Sequence, residues 1–373
     1  MKAVVINNFV DSYDDVKVSE VPRPVPNDDE VLIQVHAAGV NFVDTLYARG
    51  KHQNNLRHMK PPFTLGLEFS GTMISVPKSL TTTFSPGDRV LGDFSGAYAE
   101  YILYPASSLA SSSLHRVPDS WSFADAAGLA ATLPVSYGAL DSAGGLKPGQ
   151  TVLVHAAAGG LGLAAVQIAS ALGCTVIGTA GSAEKCRVAE SFGARKCVDY
   201  TANPKWWEEV LALTRGAGVD VVFDSVGLVD QSLKCVAHRG KVLVVGFAGR
   251  EGNMEGVKMN KVLLKQVSII GYRYGESLRR YPEEKAKIWS QLWPLINSGK
   301  IRPAVYTDRE YRGLASVPQA LKDIASRRVW GKAVIQVHPN SDAAFVAASN
   351  GDRRGRSDSG HDPEREKGQK AKL

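Results

Sequence analysis

Thr151-Val-Leu-Val-His-Ala156 runs straight into Ala157-Ala-Gly159-Gly160-Leu161-Gly162 and then into Leu163-Ala-Ala-Val-Gln-Ile-Ala169. A valine-rich run, a turn of small residues and an apolar run read as a buried strand, a tight turn and a helix. In that order they lay a dinucleotide pyrophosphate on the N–H groups at the helix start. Ala157 stands at the first glycine of the G-x-G-x-x-G pattern. Gly159 lets the backbone approach phosphate, Gly160 and Leu161 continue the turn, and Gly162 lets the helix pack close on the strand. The glycines alone also fit an ordinary tight turn. The flanking strand and helix decide for a nucleotide site.

Outward from this turn the alternation continues. Strand-like runs at 151–156, 175–180, 196–200, 220–226, 241–247 and 267–272 are separated by helical stretches such as 161–172, 183–192 and 204–214, the last with Pro204 in its first turn. Six strands with helical crossovers describe an α/β fold with a doubly wound parallel sheet. Residues 1–125 are β-rich instead: runs at 1–10, 31–40, 69–76, 88–94 and 97–105 are divided by Pro, Gly and Asp clusters. Pro22, Pro24 and Pro26 make an extended connector. A polar stretch at 49–62 has no period and is expected to be a loop at a cleft mouth. After a longer helix at 282–298, short strands return at 302–306 and 332–337 around a helix at 317–326. From about Pro339 the chain fills with Ser, Gly, Asp, Arg and Lys and is expected to be disordered. The expected division is 1–125 with 300–338 as one domain, 126–299 as the nucleotide-binding domain, and 339–373 as a tail.

At 373 residues the chain is long enough for two cores, and its 44% hydrophobic and 22% charged residues are ordinary for a soluble globular protein. No apolar run approaches the roughly 20 residues of a membrane span, and the N-terminus lacks a signal-peptide apolar core. A soluble, non-secreted protein is expected. Cys174, Cys186, Cys197 and Cys235 show no C-x-x-C spacing and read as small buried residues in a reducing compartment. The formal charge of +7 is spread along the chain without interleaved aromatics, which argues against a nucleic-acid partner. Part of that excess suits a phosphate-rich cofactor. The final Ala371-Lys372-Leu373 resembles the Ser-Lys-Leu address read by the peroxisomal import receptor, so a peroxisomal or cytoplasmic location is expected.

Six stretches carry a resemblance to a known family: Ala38-Gly-Val-Asn-Phe-Val-Asp44, Leu65-Gly-Leu-Glu-Phe-Ser-Gly71, Pro86-Gly-Asp-Arg-Val90, Ala156-Ala-Ala-Gly-Gly-Leu-Gly162, Asp224-Ser-Val-Gly227 and Gly331-Lys-Ala-Val-Ile335. Over roughly 1–337 the chain resembles the zinc-free quinone oxidoreductase (zeta-crystallin-like) branch of the medium-chain dehydrogenase/reductase family. The resemblance implies that the two β-rich parts form a catalytic domain around a GroES-like barrel, with the parallel-sheet (Rossmann) domain inserted and the active site in the cleft. It also implies a homodimer. Zinc members of the wider family take a Cys just after the segment ending Gly39-Val40 and a His from a Gly-His-Glu triplet. Here those positions read Asn41-Phe42-Val43-Asp44 and Gly66-Leu67-Glu68, and leucine cannot bind a metal, so no metal is expected. His52 and His58 read as solvated loop residues.

The second strand ends Ile177-Gly-Thr-Ala-Gly-Ser182 with no carboxylate at its tip, where an NAD site holds the ribose hydroxyls. Ser182, Lys185 and Tyr200 match family positions that embrace the 2′-phosphate of NADPH, with Arg187 as a helper. A phosphate wants a cation and hydroxyl donors, and NADPH is the expected cofactor. Ser225, ending the fourth strand, and Gly246 with Phe247, ending the fifth, are expected to line it. Asn41, Asp44 and Thr132 match positions lining the nicotinamide and acceptor pocket, Asn41 as an oxyanion donor and Asp44 as an orienting group. Many relatives carry two adjacent tyrosines where this chain has Leu46-Tyr47. The role then falls vacant or passes to Tyr47, which also fits a packed aromatic. Glu68 is expected to be structural. The implied reaction is metal-free hydride transfer from NADPH to a quinone or an α,β-unsaturated carbonyl. An enoyl-thioester reductase is the alternative within enzymes. From another class, an NADPH-binding structural or RNA-associated crystallin-like protein fits the same resemblance.

Overall fold

β-branched and aliphatic side chains fill the strand Thr151–Val154, where Val152, Leu153 and Val154 are fully buried, as a strand covered on both faces requires. It sits in the middle of a sheet of six parallel strands. In chain order these are Thr151–Val154, Thr175–Ala180, Lys196–Asp199, Val219–Asp224, Val236–Val244 and Ser268–Gly271; in space they run third, second, first, fourth, fifth, sixth. Strand order reverses between the first and fourth, and that switch point opens a crevice at the carboxyl ends where such sheets bind ligands. The fold is taken from a computed structural model that describes residues 1–338 apart from 57, 82, 110–113 and 250–254. The tail at 339–373, with Ala371-Lys372-Leu373, lies outside the described residues.

The β-rich part is built on one long strand, Glu30–Gly39. Glu68–Ser75, Tyr101–Pro105 and the returning Val334–Gln336 all pair with it antiparallel. Arg89–Asp93 and Leu114–Arg116 extend the sheet on one side and Tyr311–Arg312 on the other. Lys2–Ile6 pairs with Val18–Glu20 and Phe63–Thr64 in a smaller sheet. One apolar core, including Ile33, Phe69, Tyr98 and Ile335, fills this barrel. Two others, around Val154 and Phe223 and around Leu153 and Val222, cover the two faces of the parallel sheet. The medium-chain dehydrogenase/reductase architecture expected above is therefore present: a parallel-sheet domain placed in sequence between the parts of a GroES-like one.

Local differences from the sequence expectation have identifiable causes. No strand forms at 302–306, where Val305 makes a single bridge to Lys332. The Gln167 carboxamide occupies both backbone groups of Arg302, accepting its N–H at 2.9 Å and donating to its carbonyl at 3.2 Å, so neither can join a ladder. Pro204 is not in a first helical turn. The Asn203 side chain accepts the Lys205 N–H (3.0 Å) and turns the chain, so the helix starts at Trp206. The fifth strand begins and ends earlier than its apolar run suggested, leaving Gly246 and Phe247 beyond its last residue, Val244.

Two glycines of the nucleotide turn answer to different constraints. A Cβ at Gly162 would lie 2.1 Å from the Ala156 carbonyl oxygen, whereas one at Gly159 meets nothing nearer than that oxygen at 3.3 Å. Gly162→Ala should therefore lower the unfolding free energy by about 1–3 kcal/mol in urea denaturation. Gly159→Ala should leave the midpoint nearly unchanged. Equal midpoints for both variants would refute this packing account.

Candidate active site

The turn between first strand and helix is tight enough to force Ala156 to φ 48, a left-handed conformation in which alanine is strained. The Ala156 carbonyl accepts the Gly159 N–H at 2.8 Å, and Ala157 donates to the Thr179 carbonyl at 2.9 Å. Ala157 is fully buried with its methyl against Gly178, so it offers a ligand backbone only. The helix Gly160–Ala171 then begins, and the N–H groups of Gly160, Leu161 and Gly162 in its first turn have no intrahelical acceptor. The positive end of the helix adds to their pull on an anion. The returning barrel segment seals this turn: Gly331 donates to the Ala158 carbonyl at 2.7 Å and bridges to Gly159.

At the tip of the second strand, Ser182 caps the helix Ala183–Ser191 by accepting the Lys185 N–H at 3.2 Å. The Tyr200 hydroxyl comes within 2.7 Å of a Cβ placed on Gly181, so Ser182 and Tyr200 meet at one corner with no carboxylate at Gly181-Ser182. The Lys185 ammonium goes to the carbonyls of Arg327 and Val329 in the C-terminal segment. Burial, and then the Arg327 charge, lower its pKa against the pull of Glu184. Arg327 thus joins this corner, although no motif marks it. Ser225 follows directly on the fourth strand, and Gly246 packs its backbone on the Ser225 carbonyl, both at the carboxyl edge of the sheet; Phe247 beside them is exposed.

Across the crevice, helix Phe42–Ala48 starts at Asn41, and a helical spacing of three puts Asn41, Asp44 and Tyr47 along one side. The Asp44 carboxylate accepts the Asn41 N–H (2.8 Å) and the Tyr98 hydroxyl (2.7 Å) on the same oxygen, Oδ2. Its Oδ1 is buried with no partner. Burial pushes the Asp44 carboxyl up to about 7, despite the lowering effect of both hydrogen bonds. Burial and the Asp44 charge raise Tyr98 as well.

The Asn41 side chain is fixed in both senses. Its oxygen accepts from Lys332 Nζ (2.7 Å) and its nitrogen donates to Glu68 Oε1 (2.9 Å), while Lys332 also pairs directly with Glu68. The second Glu68 oxygen accepts the Ala131 N–H at 2.9 Å. Glu68 and Lys332 are both buried. Strand register makes this meeting unavoidable, because Gly39 pairs with Glu68 on one side and with Val334 on the other. The Lys332 stem runs past Gly128 and Gly160, and the Thr132 methyl lies 3.4 Å from a Cβ placed on Gly160. Thr132 Oγ1 itself donates back to the Gly128 carbonyl at 3.0 Å. The glycine turn, Thr132 and the Asn41 network are therefore contiguous.

Residues 27–118 match the alcohol dehydrogenase GroES-like domain family and 160–296 the zinc-binding dehydrogenase family. The quinone oxidoreductase-like protein 2 homolog of Nematostella vectensis is 35% identical over 342 residues, 87% of this chain and 89% of its own. The chain belongs to the quinone oxidoreductase-like branch of the medium-chain dehydrogenase/reductase family. Mouse prostaglandin reductase-3 is 31% identical over 339 residues, covering 86% of this chain and 85% of its own. The NADPH complex of Escherichia coli quinone oxidoreductase superposes with a TM-score of 0.77 at 26% identity, over 90% of this chain and 100% of that one. The NADPH complex of a mycobacterial protein gives 0.77 at 32%, over 90% and 99%. Among the described residues of this family member, no group of three His, Cys, Asp or Glu side chains is placed to hold a metal ion.

Sequence reading missed Lys332, Tyr98 and the partners of Glu68. Lys332 stood inside the matched Gly331-Lys-Ala-Val-Ile335 stretch, and a lysine flanked by five mostly apolar residues was the available signal.

Removing one partner from a buried pair leaves the other charge uncompensated. Lys332→Met should cost about 3–5 kcal/mol of unfolding free energy, and Lys332→Met/Glu68→Gln distinctly less. A double variant no better than the single would contradict the pairing.

For Asp44 the sign follows from linkage. Between 3.8 and about 7 the folded chain keeps a proton that the unfolded chain has released, so its contribution to stability falls as pH rises through that window. Asp44→Asn should flatten the corresponding slope in urea titrations at different pH. An unchanged slope would show that Asp44 titrates normally.

Proposed function

We propose that the chain is a metal-independent, NADPH-dependent reductase of quinones or α,β-unsaturated carbonyls, with Asn41 as the donor to the acceptor oxygen. The observation that carries this reading is the Asn41 amide, whose flip is locked by Lys332 and Glu68. One Nδ2 proton goes to Glu68. The other stays for a ligand in the cleft.

The residues suit the cofactor. The open face of Gly159, the first-turn N–H groups of Gly160, Leu161 and Gly162, and the absence of an acid at Gly181-Ser182 fit a pyrophosphate followed by a 2′-phosphate. Ser182, Tyr200, Lys185 and the nearby Arg327 would hold that phosphate, and Ser225, Gly246 and Phe247 would line the dinucleotide. When bound, NADPH supplies a hydride. As the acceptor gains it, negative charge grows on the acceptor oxygen, and preorganised donors there lower the barrier. Asn41 gives the first such donor and Tyr47 the second. Asp44, neutral below about pH 7, places no charge beside that oxygen. Thr132 packs the ring side of the pocket. Relatives named for quinones and for a prostaglandin support a small-molecule acceptor.

The working form is a homodimer in this reading. Among the described residues Ser268–Gly271 is an unpaired sheet edge, with Ile269 exposed on it and Met259, Leu263 and Leu264 exposed on the preceding helix.

The test is NADPH consumption against a panel of quinones, enals and enoyl-CoAs. Turnover confined to enoyl-CoAs would favour the thioester reading, and no turnover with any acceptor would sink the reductase reading. Lys185→Ala should raise the KM for NADPH about tenfold, the value of one charge-assisted hydrogen bond, without changing that for NADH. Equal effects on both coenzymes would remove Lys185 from the phosphate site.

A further inference from the structure

The polar stretch after helix Phe42–Ala48 is knitted around Tyr47 rather than left loose. Asn55 donates to the Tyr47 carbonyl (3.3 Å) and the Met59 carbonyl (2.9 Å), and its own oxygen accepts the His52 N–H at 2.9 Å. His52 Nδ1 accepts the Asn54 N–H at 3.1 Å, and the His52 ring lies 4.6 Å from that of Tyr47. Burial, then the Arg273 charge, push His52 down to about 4, so its imidazole is the neutral acceptor that this contact needs.

These contacts aim one side chain across the cleft mouth. Asn54 Nδ2 donates to the Tyr47 hydroxyl at 3.0 Å, and Asn54 Oδ1 accepts from Arg273 at 2.7 Å. Arg273 stands just past the sixth parallel strand, at the carboxyl edge of the sheet where ligands bind, and Glu276 holds another nitrogen of its guanidinium at 3.7 Å. A cation on the amide oxygen polarises the amide N–H, which strengthens its bond to the phenol. The Tyr47 oxygen is then committed as acceptor, and its own proton is left to donate.

We propose that Asn54 and Arg273 are positioning residues that reach across the cleft to fix the Tyr47 hydroxyl as a donor toward the acceptor's carbonyl or quinone oxygen. This inference rests on the reductase reading above. It supplies what Leu46 cannot: a second donor for the acceptor oxygen, oriented from the opposite domain. It also ties Asn54 to the nucleotide domain through Arg273.

Tyr47→Phe and Arg273→Met should each lower kcat/KM for the acceptor about tenfold with an unchanged KM for NADPH, and the double variant should fall no further than Tyr47→Phe. Arg273→Lys should recover part of the loss. Asn54→Asp, which keeps an acceptor for Arg273 but takes the N–H from Tyr47, should behave like Tyr47→Phe. Hydrogen exchange in the cofactor-free protein gives a readout independent of turnover: Arg273→Met should speed exchange in a peptide spanning 49–62 at least threefold and leave the peptide of strand Thr151–Val154 unchanged. Additive losses in the double variant, or exchange at 49–62 that ignores Arg273, overturn the proposal. A wild-type protein that leaves NADPH unoxidised with every acceptor of the panel defeats the reductase reading instead, and the exchange result still decides whether the latch exists.

Discussion

A buried ammonium and a buried carboxylate, Lys332 and Glu68, are the constraint on which the cleft depends. Each would be costly alone in that setting, and each is held by strand register rather than by chance contact. Gly39 lies between their strands, and a Cβ there would meet Glu68 Oε1 at 2.6 Å and the Ala127 carbonyl at 2.5 Å. Its lack of a side chain is the condition for the carboxylate to cross. Once the pair is in place, the Asn41 amide has one orientation, because its oxygen faces a cation and its nitrogen an anion.

The same lysine connects Asn41 to the glycine turn. Its stem lies against Gly160 at the head of helix Gly160–Ala171, and its neighbour Gly331 hydrogen-bonds the turn itself. A displacement of the turn is therefore felt at Asn41 through packed atoms and short hydrogen bonds. The Asn41 network is thereby held from several distant parts of the chain, through Lys332, Glu68 and the Ala131 N–H.

Much of this was legible in the chain. The parallel sheet could be read because its central strands are buried on both faces and therefore carry continuous apolar runs, as at Thr151–Val154. The glycine turn was legible because close backbone approach demands particular residues, although its strained position proved to be Ala156 and not a glycine. Asn41 and Asp44 proved to be hydrogen-bonded at the start of one helix, and Thr132 to lie beside Gly160. What stayed hidden were long-range partners: the apolar neighbours of Lys332 hint at burial but do not name Glu68, 264 residues away, and nothing local ties Tyr98 to Asp44. The failed strand at 302–306 has the same cause, since its competitor, Gln167, sits 135 residues away on a helix. Periodicity reports what one element needs. It is silent on what a distant side chain takes.

The most direct measurement is a crystal structure of the protein grown with NADPH and a non-reducible acceptor analogue. The account places the pyrophosphate on the N–H groups of Gly160, Leu161 and Gly162, and the analogue's oxygen within hydrogen-bond distance of Asn41 Nδ2, with Lys332 still on the Asn41 oxygen. A rotated Asn41 amide released from Lys332, or an acceptor oxygen bound elsewhere in the cleft, would contradict it.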